Sequence, residues 1–146
     1  MEESKLVAFD TGIAVSMPHN SVVSFNLKDS GNREEFPTGS QRDTRKGKGR
    51  YDLITPLGLR RVALLYEAGA IKYDDRNWEK GQPITRYLDC ALRHIFGHLE
   101  GLRDEDHLAQ AAWNLLGALH TEEAIARNLL PTELDDRPDF TKARRG

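Results

Sequence analysis

The chain has 146 residues, a net charge of −2 and one cysteine, Cys90. This length suits one ordinary domain, and its polar stretches leave about a hundred residues for a single hydrophobic core. The net charge of −2 argues against a molecule whose surface as a whole attracts nucleic acid. A single cysteine excludes an intramolecular disulfide framework. No apolar run approaches the roughly 18 residues that span a bilayer, and the N-terminus has no signal-peptide pattern. We therefore expect a protein of the reducing cytoplasm without a membrane partner.

The first 49 residues predict little regular structure. Residues 6–9 and 22–27 are candidate short strands, separated by turn-forming residues. Such a pair is marginal in water by itself, so it packs on the main body, pairs with another subunit or stays loose, and all three options remain open. Residues 28–49 are rich in Gly, Ser, Thr and charge, which predicts a loop or disorder.

A basic run lies at residues 41–50, where five cations accompany one acid, Asp43. The cations are Arg42, Arg45, Lys46, Lys48 and Arg50. A run of this kind is most often a solvated linker. The alternative is an arm that grips phosphate, because Gly47 and Gly49 leave backbone N–H groups open to an anion beside the cations. The run is too short and too poor in aromatics to indicate nucleic acid as its partner.

The first predicted helix begins at Thr55-Pro56, with Thr as its N-cap, and ends near residues 73–75. Its apolar residues recur at intervals of three and four, which predicts one buried stripe. The stripe consists of Leu59, Val62, Ala63, Tyr66, Ala70 and Ile71. Glu67 lies at the edge of this stripe, where its carboxylate either reaches water or is paired or bound to a metal. Gly69 costs about 1 kcal/mol relative to Ala in a helix, so we expect another helix or a ligand to approach it closely.

The second predicted helix has Thr85 as its N-cap and ends at Gly101. Its predicted buried stripe consists of Ile84, Leu88, Ala91, Leu92, Ile95 and Leu99. In the preceding polar loop, Trp78 either caps the core or stacks on a flat ligand such as a base. His94 and His98 lie four residues apart on one flank of the helix, a spacing at which two histidines can bind one metal ion, although His98 can equally be a surface residue.

The third predicted helix has Asp104 as its N-cap, with Glu105 and Asp106 in its first turn. The helix macrodipole favours acids there, so a metal is not needed to explain them. Asn114 lies on an apolar line of this helix, and a buried amide needs hydrogen-bond partners. It is therefore a stronger functional candidate than an exposed acid. Residues 132–146 predict an extended or frayed tail.

Three helices joined by short loops predict an all-α, antiparallel helical bundle, with a short irregular or β-hairpin segment at the N-terminus. Three helices alone bury little surface, so a fourth helix or a second copy of the chain is expected to complete the bundle. We therefore expect a homo-oligomer, a dimer or a tetramer. The predicted divisions are an N-terminal extension (1–37), a helical domain (38–130) and a C-terminal tail (131–146).

The helices are expected to bring Glu67, His94 and the turn at residues 104–107 toward one region. Carboxylates and imidazole there suggest a divalent cation, and Mg²⁺ often shares its oxygen ligands with substrate phosphates. Nearby cations would stabilise charge on a leaving phosphate group. These cations are Lys46, Lys48, Arg50, Lys72 and Arg93. Because the chain has no Gly-x-x-x-x-Gly-Lys-Ser/Thr loop, it is not a P-loop enzyme. The pattern favours a metal-dependent reaction on a nucleotide phosphate, with Trp78 or Tyr73 against the base.

Several motifs in a fixed order resemble the dATP/dGTP diphosphohydrolase family, also called MazZ, which bacteriophages encode. The motifs are Thr38-Gly39-Ser40-Gln41-Arg42-Asp43, Gly47-Lys48-Gly49-Arg50-Tyr51-Asp52-Leu53-Ile54, Tyr66-Glu67-Ala68-Gly69-Ala70-Ile71-Lys72-Tyr73, Arg76-Asn77-Trp78-Glu79-Lys80-Gly81, Arg93-His94, Glu105-Asp106-His107-Leu108-Ala109 and Ala112-Trp113-Asn114. The resemblance spans residues 38–119.

The resemblance implies an all-α fold related to MazG-type nucleotide pyrophosphohydrolases, which are usually oligomeric. It implies Mg²⁺ or Mn²⁺ held by acids on facing helices, and hydrolysis of a purine dNTP, dATP or dGTP, to dNMP and pyrophosphate. In phages that replace adenine with 2-aminoadenine, such an enzyme removes dATP and turns dGTP into dGMP. A phage enzyme of this kind would act in the host cytoplasm.

The resemblance also implies roles for individual residues. The MazG pattern is Glu-x-x-Glu on one helix and Glu-x-x-Asp on another. Here Leu64 and Ala70 stand three residues from Glu67, so the first pair is incomplete. Either Glu100, Glu105 and Asp106 supply the missing oxygens, or His94 and Asn114 substitute for them. The implied catalytic residues are Glu67, His94 and Asp106, and the implied metal ligands are Glu67, Glu105, Asp106 and His94. Phosphate contacts are implied for Lys48, Arg50, Lys72 and Arg93, and sugar or base contacts for Asn77, Trp78 and Asn114. The expected partners are purine deoxynucleoside triphosphates, with no stable nucleic-acid partner.

Two other functions remain as alternatives. An HD-type phosphohydrolase is also helical and rich in His and Asp, but it requires a His-Asp dipeptide, whereas this chain has Asp106-His107. A non-catalytic nucleotide- or nucleic-acid-binding module would use the basic arm and Trp78 but would not need Glu67 or Asp106.

Overall fold

The computed structural model describes residues 28–141, together with the backbone of Leu6–Ala8 and Ala14–Ser16. The chain divides into two compact units, Met1–Asp52 and Leu53–Gly146. Within the part of the chain that is described, no helix has the length and apolar character needed to cross a membrane.

The N-terminal unit contains two antiparallel hairpins. Strand β1 (Leu6–Ala8) pairs with β2 (Ala14–Ser16). The strand predicted at residues 6–9 is thus confirmed, and the strand predicted at 22–27 lies outside the described residues. Strand β3 (Arg33–Glu35) pairs with β4 (Gln41–Asp43).

The second hairpin shows that the loop or disorder predicted for residues 28–49 is wrong at its centre. Its turn closes where the Gly39 N–H donates to the Phe36 carbonyl at 2.8 Å, and Gly39 adopts a φ of 81° that suits glycine. Asp43 accepts hydrogen bonds from Ser30 and Lys48. Turn chemistry and polar side-chain bonds, not apolar alternation, therefore stabilise this hairpin, which is why a hydrophobicity pattern misses it.

The C-terminal unit is built from three helices, α1 (Pro56–Tyr73), α2 (Ile84–Glu100) and α3 (His107–Ala126). The predicted all-α fold with an N-terminal hairpin is confirmed. Thr55 caps α1 by accepting the Gly58 N–H at 3.2 Å, and Gly101 ends α2 with a φ of 92°, both as predicted.

Two predicted caps are wrong. Thr85 lies inside α2 rather than at its N-cap, which is Pro83 and has no side-chain oxygen to accept an N–H. Asp136 of the tail supplies the missing acceptor, because its carboxylate accepts the Thr85 N–H at 2.9 Å. Helix α3 is capped by Asp106, whose carboxylate accepts the Ala109 N–H at 3.1 Å, and not by Asp104.

Helix α3 is the central helix, because both α1 and α2 pack against it. Gly97 near the end of α2 lies against His107 at the start of α3, and Tyr87 near the start of α2 lies against Gly117. Helices α2 and α3 are therefore antiparallel, as predicted. A Cβ on Gly117 would overlap the buried Tyr87 ring, so this glycine allows the close approach of the two helices.

Helix α1 runs in the same direction as α3. Arg61 pairs with Asp106 at the start of α3, and five residues later the Tyr66 ring lies 5.9 Å from that of Trp113. This is the relation expected of the first and third helices in an up-down-up arrangement.

Much of the predicted apolar stripe is not buried in the single chain. On α1 only Val62 is fully buried, whereas Ile71 is 84% exposed. The other residues that were predicted to be buried and are exposed are Leu59, Ala63, Leu92 and Leu99. Periodicity correctly identified apolar faces, but the described residues contain no fourth element that covers them.

The tail is not frayed over its first residues. A 3-10 turn at Thr132–Leu134 follows α3, and Asp136 then binds Thr85. Arg137 donates to Glu122 of α3 at 2.8 Å and to Asp135 at 2.7 Å. The tail therefore closes the N-terminal end of α2, which the sequence did not predict.

Candidate functional site: an aromatic, carboxylate-bearing pocket

A cavity of about 660 Å³ opens beside the second half of α1. Its walls come from α1, from the loop that follows it and from Trp113 of α3. Four aromatic rings line it, those of Tyr66, Tyr73, Trp78 and Trp113. This volume lies within the range typical of small-molecule sites.

Trp78 packs against core residues, which agrees with one of its two predicted roles, and it also lines the cavity. Stacking on a flat ligand stays a prediction. The Trp78 ring packs edge-on against Tyr66 at 5.9 Å and against His120 at 4.7 Å between ring centroids. The Arg76 guanidinium lies 5.8 Å from the centroid of the same ring. The indole is thus held in place before any ligand arrives, which favours rigid stacking over capture by a loose loop.

The charged side chains that line this cavity are mostly acidic. The lining includes the carboxylates of Glu67, Asp74 and Asp75 and the amides of Asn77 and Gln82. The one cation in the lining, Arg76, is ion-paired with Glu79. The pocket therefore suits a flat ligand that donates hydrogen bonds better than it suits an isolated phosphate.

Gly69 lines the same cavity, and a Cβ added to it would meet no atom within 4 Å. The approach of another helix, which was one of the two predicted reasons for this glycine, is therefore not seen among the described residues. The other predicted reason was a ligand, and the open space beside Gly69 fits it.

The junction between α2 and α3 gathers other predicted site residues. Asp106 accepts two hydrogen bonds from Arg61, and this guanidinium holds the pKa of Asp106 below its usual range. Glu105 is exposed and accepts a hydrogen bond from the Gln110 amide at 2.7 Å. These acids are thus engaged by protein groups in the single chain.

His94 belongs to a hydrogen-bonded chain at the same junction. Its Nδ1 lies 3.0 Å from Nδ1 of His107, and His107 Nε2 lies 3.0 Å from the Asp104 carboxylate. If both rings are neutral, the carboxylate requires a proton on His107 Nε2, so His107 Nδ1 accepts from His94 Nδ1–H. His94 Nε2 then carries the lone pair, the arrangement of a positioned base.

His94 lies against the turn at residues 104–107, as expected from the sequence, but sequence reasoning did not identify His107 and Asp104 as members of its hydrogen-bonded chain. His107 is buried beneath Gly97, where a Cβ would lie 3.3 Å from its ring. A glycine inside α2, ten residues before a histidine that begins the next helix, was the available signal. It becomes informative only when the helix register is known.

The predicted phosphate contacts are mostly engaged elsewhere. Lys48 is paired with Asp43, and Arg50 donates to Asp52 at 2.8 Å. The paired Lys48 and the Ser30 hydroxyl lower the pKa of Asp43 to about 2. Arg93 donates to Asp89 at 2.9 Å, and the Lys72 ammonium lies 4.9 Å from the Tyr73 ring centroid.

Asn114 is buried and donates from Nδ2 to the Gln110 carbonyl at 2.9 Å. This bond supplies one partner for the amide that sequence analysis had singled out. Asn114 follows Trp113 in the chain, but only Trp113 lines the cavity.

The four predicted metal ligands do not form one donor set within a single chain. Glu67 lines the aromatic cavity, whereas His94 and Asp106 are bonded to His107 and Arg61 at the α2–α3 junction. Across residues 28–141, no three His, Cys, Asp or Glu side chains are grouped closely enough to hold a metal ion. The arrangement in one chain therefore does not fit the implied cation.

Comparison with known proteins gives one family. A family model described as dATP/dGTP diphosphohydrolase, N-terminal, matches residues 38–130. The match covers more than half of the chain and includes all the site residues predicted from sequence. No match was found among curated proteins or among solved structures.

Proposed function

Since the chain belongs to the dATP/dGTP diphosphohydrolase family, we propose that it hydrolyses purine deoxynucleoside triphosphates to dNMP and pyrophosphate. The observation that carries the proposal is that the family match contains a pocket with aromatic walls and hydrogen-bonding side chains. Mg²⁺ or Mn²⁺ is the proposed cofactor, because hard cations with oxygen ligands commonly accompany phosphate chemistry.

The proposed place of the deoxynucleoside is the aromatic cavity. A base stacked on a fixed indole gains affinity without ordering the ring, and Asn77 offers an amide beside Trp78. The triphosphate would extend away from Asp74 and Asp75, whose charges would repel it. Lys72 and Arg93 remain the proposed phosphate contacts, and Arg93 must exchange the Asp89 carboxylate for a phosphate.

The proposed base is His94. Cleavage of the anhydride bond needs a water that loses a proton as it attacks phosphorus, and an imidazole with a free lone pair can accept that proton. The bonds from His94 through His107 to Asp104 would hold the ring in one tautomer. Asp106 retains its proposed role and would exchange Arg61 for another cation.

A homo-oligomer is part of the proposal. A groove of about 380 Å³ between α1 and α3 is lined by apolar residues that include Leu59, Leu108 and Leu115, and these leucines are exposed in the single chain. Contiguous exposed apolar surface of this kind marks association sites. A second copy would cover the groove and can bring further carboxylates to the metal, which one chain does not gather.

In a phage genome with 2-aminoadenine in place of adenine, the proposed reaction would remove dATP and supply dGMP. This setting accords with the purine substrates in the family description. It would place the enzyme in the host cytoplasm.

The test compares wild type with Glu67→Gln in the presence of Mg²⁺. An enzyme loses turnover in the variant while it still binds dNTP, because Glu67 serves the reaction and not the stacking of the base. A binding module shows no turnover in either protein, and that result would refute the proposal.

A further inference from the structure

Asp74 and Asp75 stand apart from the other aspartates of residues 28–141. Each of the others accepts at least one hydrogen bond. The carboxylates of Asp74 and Asp75 have neither a hydrogen bond nor an ion pair there, and both line the aromatic cavity. The adjacent cation, Arg76, pairs with Glu79 instead.

The backbone at Asp74 is strained. Its φ and ψ of 75° and 161° lie in a region that is almost confined to glycine. Its N–H nevertheless completes the last turn of α1 by donating to the Ala70 carbonyl at 2.9 Å. A glycine would fit this position without strain, so the aspartate at the rim of the cavity carries a conformational cost that glycine would not.

Two free carboxylates beside aromatic walls match the donor edge of one purine. Guanine presents two adjacent donors, N1–H and the 2-amino group, which a carboxylate can accept with its two oxygens. Hypoxanthine offers N1–H alone, and adenine offers its 6-amino group beside an acceptor nitrogen. Charge-assisted pairs with two bonds are stronger and more selective than single ones.

We propose that Asp74 and Asp75 form the specificity element of the pocket and read the N1–H and 2-amino edge of guanine. This inference rests on the proposed function, because it assigns the base of that same substrate. It makes dGTP the preferred substrate over dATP.

Other ligands fit the same residues less well. A phosphate beside the two unpaired aspartates would be repelled by both negative charges. A metal ion alone would have no use for the four rings, and the described carboxylates are not grouped as a metal site.

The chain carries its own reporter for the test. It has two tryptophans, Trp78 and Trp113, and both line the cavity. Indole fluorescence is followed while the full chain is titrated with deoxyguanosine or deoxyinosine in EDTA, so neither phosphate nor metal contributes. We expect deoxyguanosine to bind about tenfold more tightly, the discrimination typical of one two-bond pair.

The decisive variant is Asp74→Asn/Asp75→Asn, in which the two nucleosides should bind within about twofold of each other. Glu123→Gln is the matched control, because it removes a negative charge from the exposed end of α3, outside the pocket. It should keep the tenfold preference. Asp74→Gly tests the strain directly: it should unfold at a higher temperature than wild type and yet bind deoxyguanosine less tightly.

Three results would overturn the inference: equal binding of the two nucleosides by wild type, no saturable signal with either, or an unchanged preference in the double variant. A signal from Mg²⁺ or Mn²⁺ alone that the double variant abolishes, without base preference, would assign the carboxylates to a cation and also overturn it. Failure of the proposed function looks different, because selective nucleoside binding without release of pyrophosphate from any dNTP would contradict only the activity.

Discussion

Arg61 and Asp106 lie 45 residues apart in the chain and are joined by two hydrogen bonds, Nε to Oδ2 at 2.8 Å and Nη2 to Oδ1 at 2.5 Å. Asp106 also caps α3. One carboxylate thus fixes the start of α3 and ties it to α1, at the junction where the proposed base lies. Its structural and proposed chemical roles can be separated by substitution.

Asp106→Asn is expected to lower turnover at least hundredfold. The proposed role of Asp106 in the hydrolysis requires a negatively charged carboxylate, which a neutral amide cannot replace. The free energy of unfolding should fall by no more than about 1 kcal/mol, since Asn remains a good N-cap and a partly exposed ion pair is screened by solvent. Turnover and urea unfolding are measured on the same preparations. Arg61→Met is the matched control, because it breaks the same ion pair but leaves the carboxylate. Wild-type turnover in Asp106→Asn would exclude the residue from the reaction.

Gly69→Ala should separate stability from binding. The new methyl group meets no atom within 4 Å, so the variant gains about 1 kcal/mol of stability from helix propensity. The same methyl group projects into the cavity and should raise the KM for dGTP several-fold. Thermal unfolding and steady-state kinetics measure the two effects. A more stable variant with an unchanged KM would show that the substrate does not occupy this cavity.

Gly117→Ala should have the opposite effect on stability. Its Cβ would overlap the Tyr87 ring, which is 1% exposed and cannot move freely. Overpacking of this kind costs typically about 1–3 kcal/mol, which outweighs the gain in helix propensity. We expect a lower Tm by calorimetry. An increase equal to that of Gly69→Ala would mean that α2 and α3 pack less closely than described.

The bond between Asp136 and Thr85 makes stability depend on pH. The hydrogen bonds from Thr85 lower the pKa of Asp136 below its usual value of 3.8. A depressed pKa in the folded state contributes stability that is present above the unfolded-state pKa and is lost as the pH falls through the folded-state pKa. Asp136→Asn should therefore lower Tm at neutral pH and show a smaller further loss below about pH 4 than wild type. If Tm falls equally in both proteins below about pH 4, the Asp136 carboxylate does not bind Thr85 and the tail lies elsewhere.

The three helices could be predicted because their signals are local. Thr55-Pro56 and Gly101 determine helix ends through their own backbone and side-chain chemistry. Thr85 was misassigned because its partner, Asp136, lies 51 residues away. The β3–β4 hairpin was missed because polar bonds around Asp43, and not apolar alternation, stabilise it.

The candidate site was predicted only in part. Glu67, Asn77 and Trp78 were selected by residue type and do line one cavity. Asp74 escaped notice because neither its missing partner nor its positive φ is visible in sequence. The register of α2 against α3 determines which acids and histidines come together. The order of residues in the sequence does not specify that register.

The most direct test of the account identifies the products formed from dGTP and Mg²⁺ by the purified chain. Anion-exchange chromatography separates dGMP and pyrophosphate from dGDP and orthophosphate. The account predicts dGMP and pyrophosphate in equal amounts, with no dGDP at any time. Stepwise release of orthophosphate, or dGTP that remains intact with both Mg²⁺ and Mn²⁺, would contradict it.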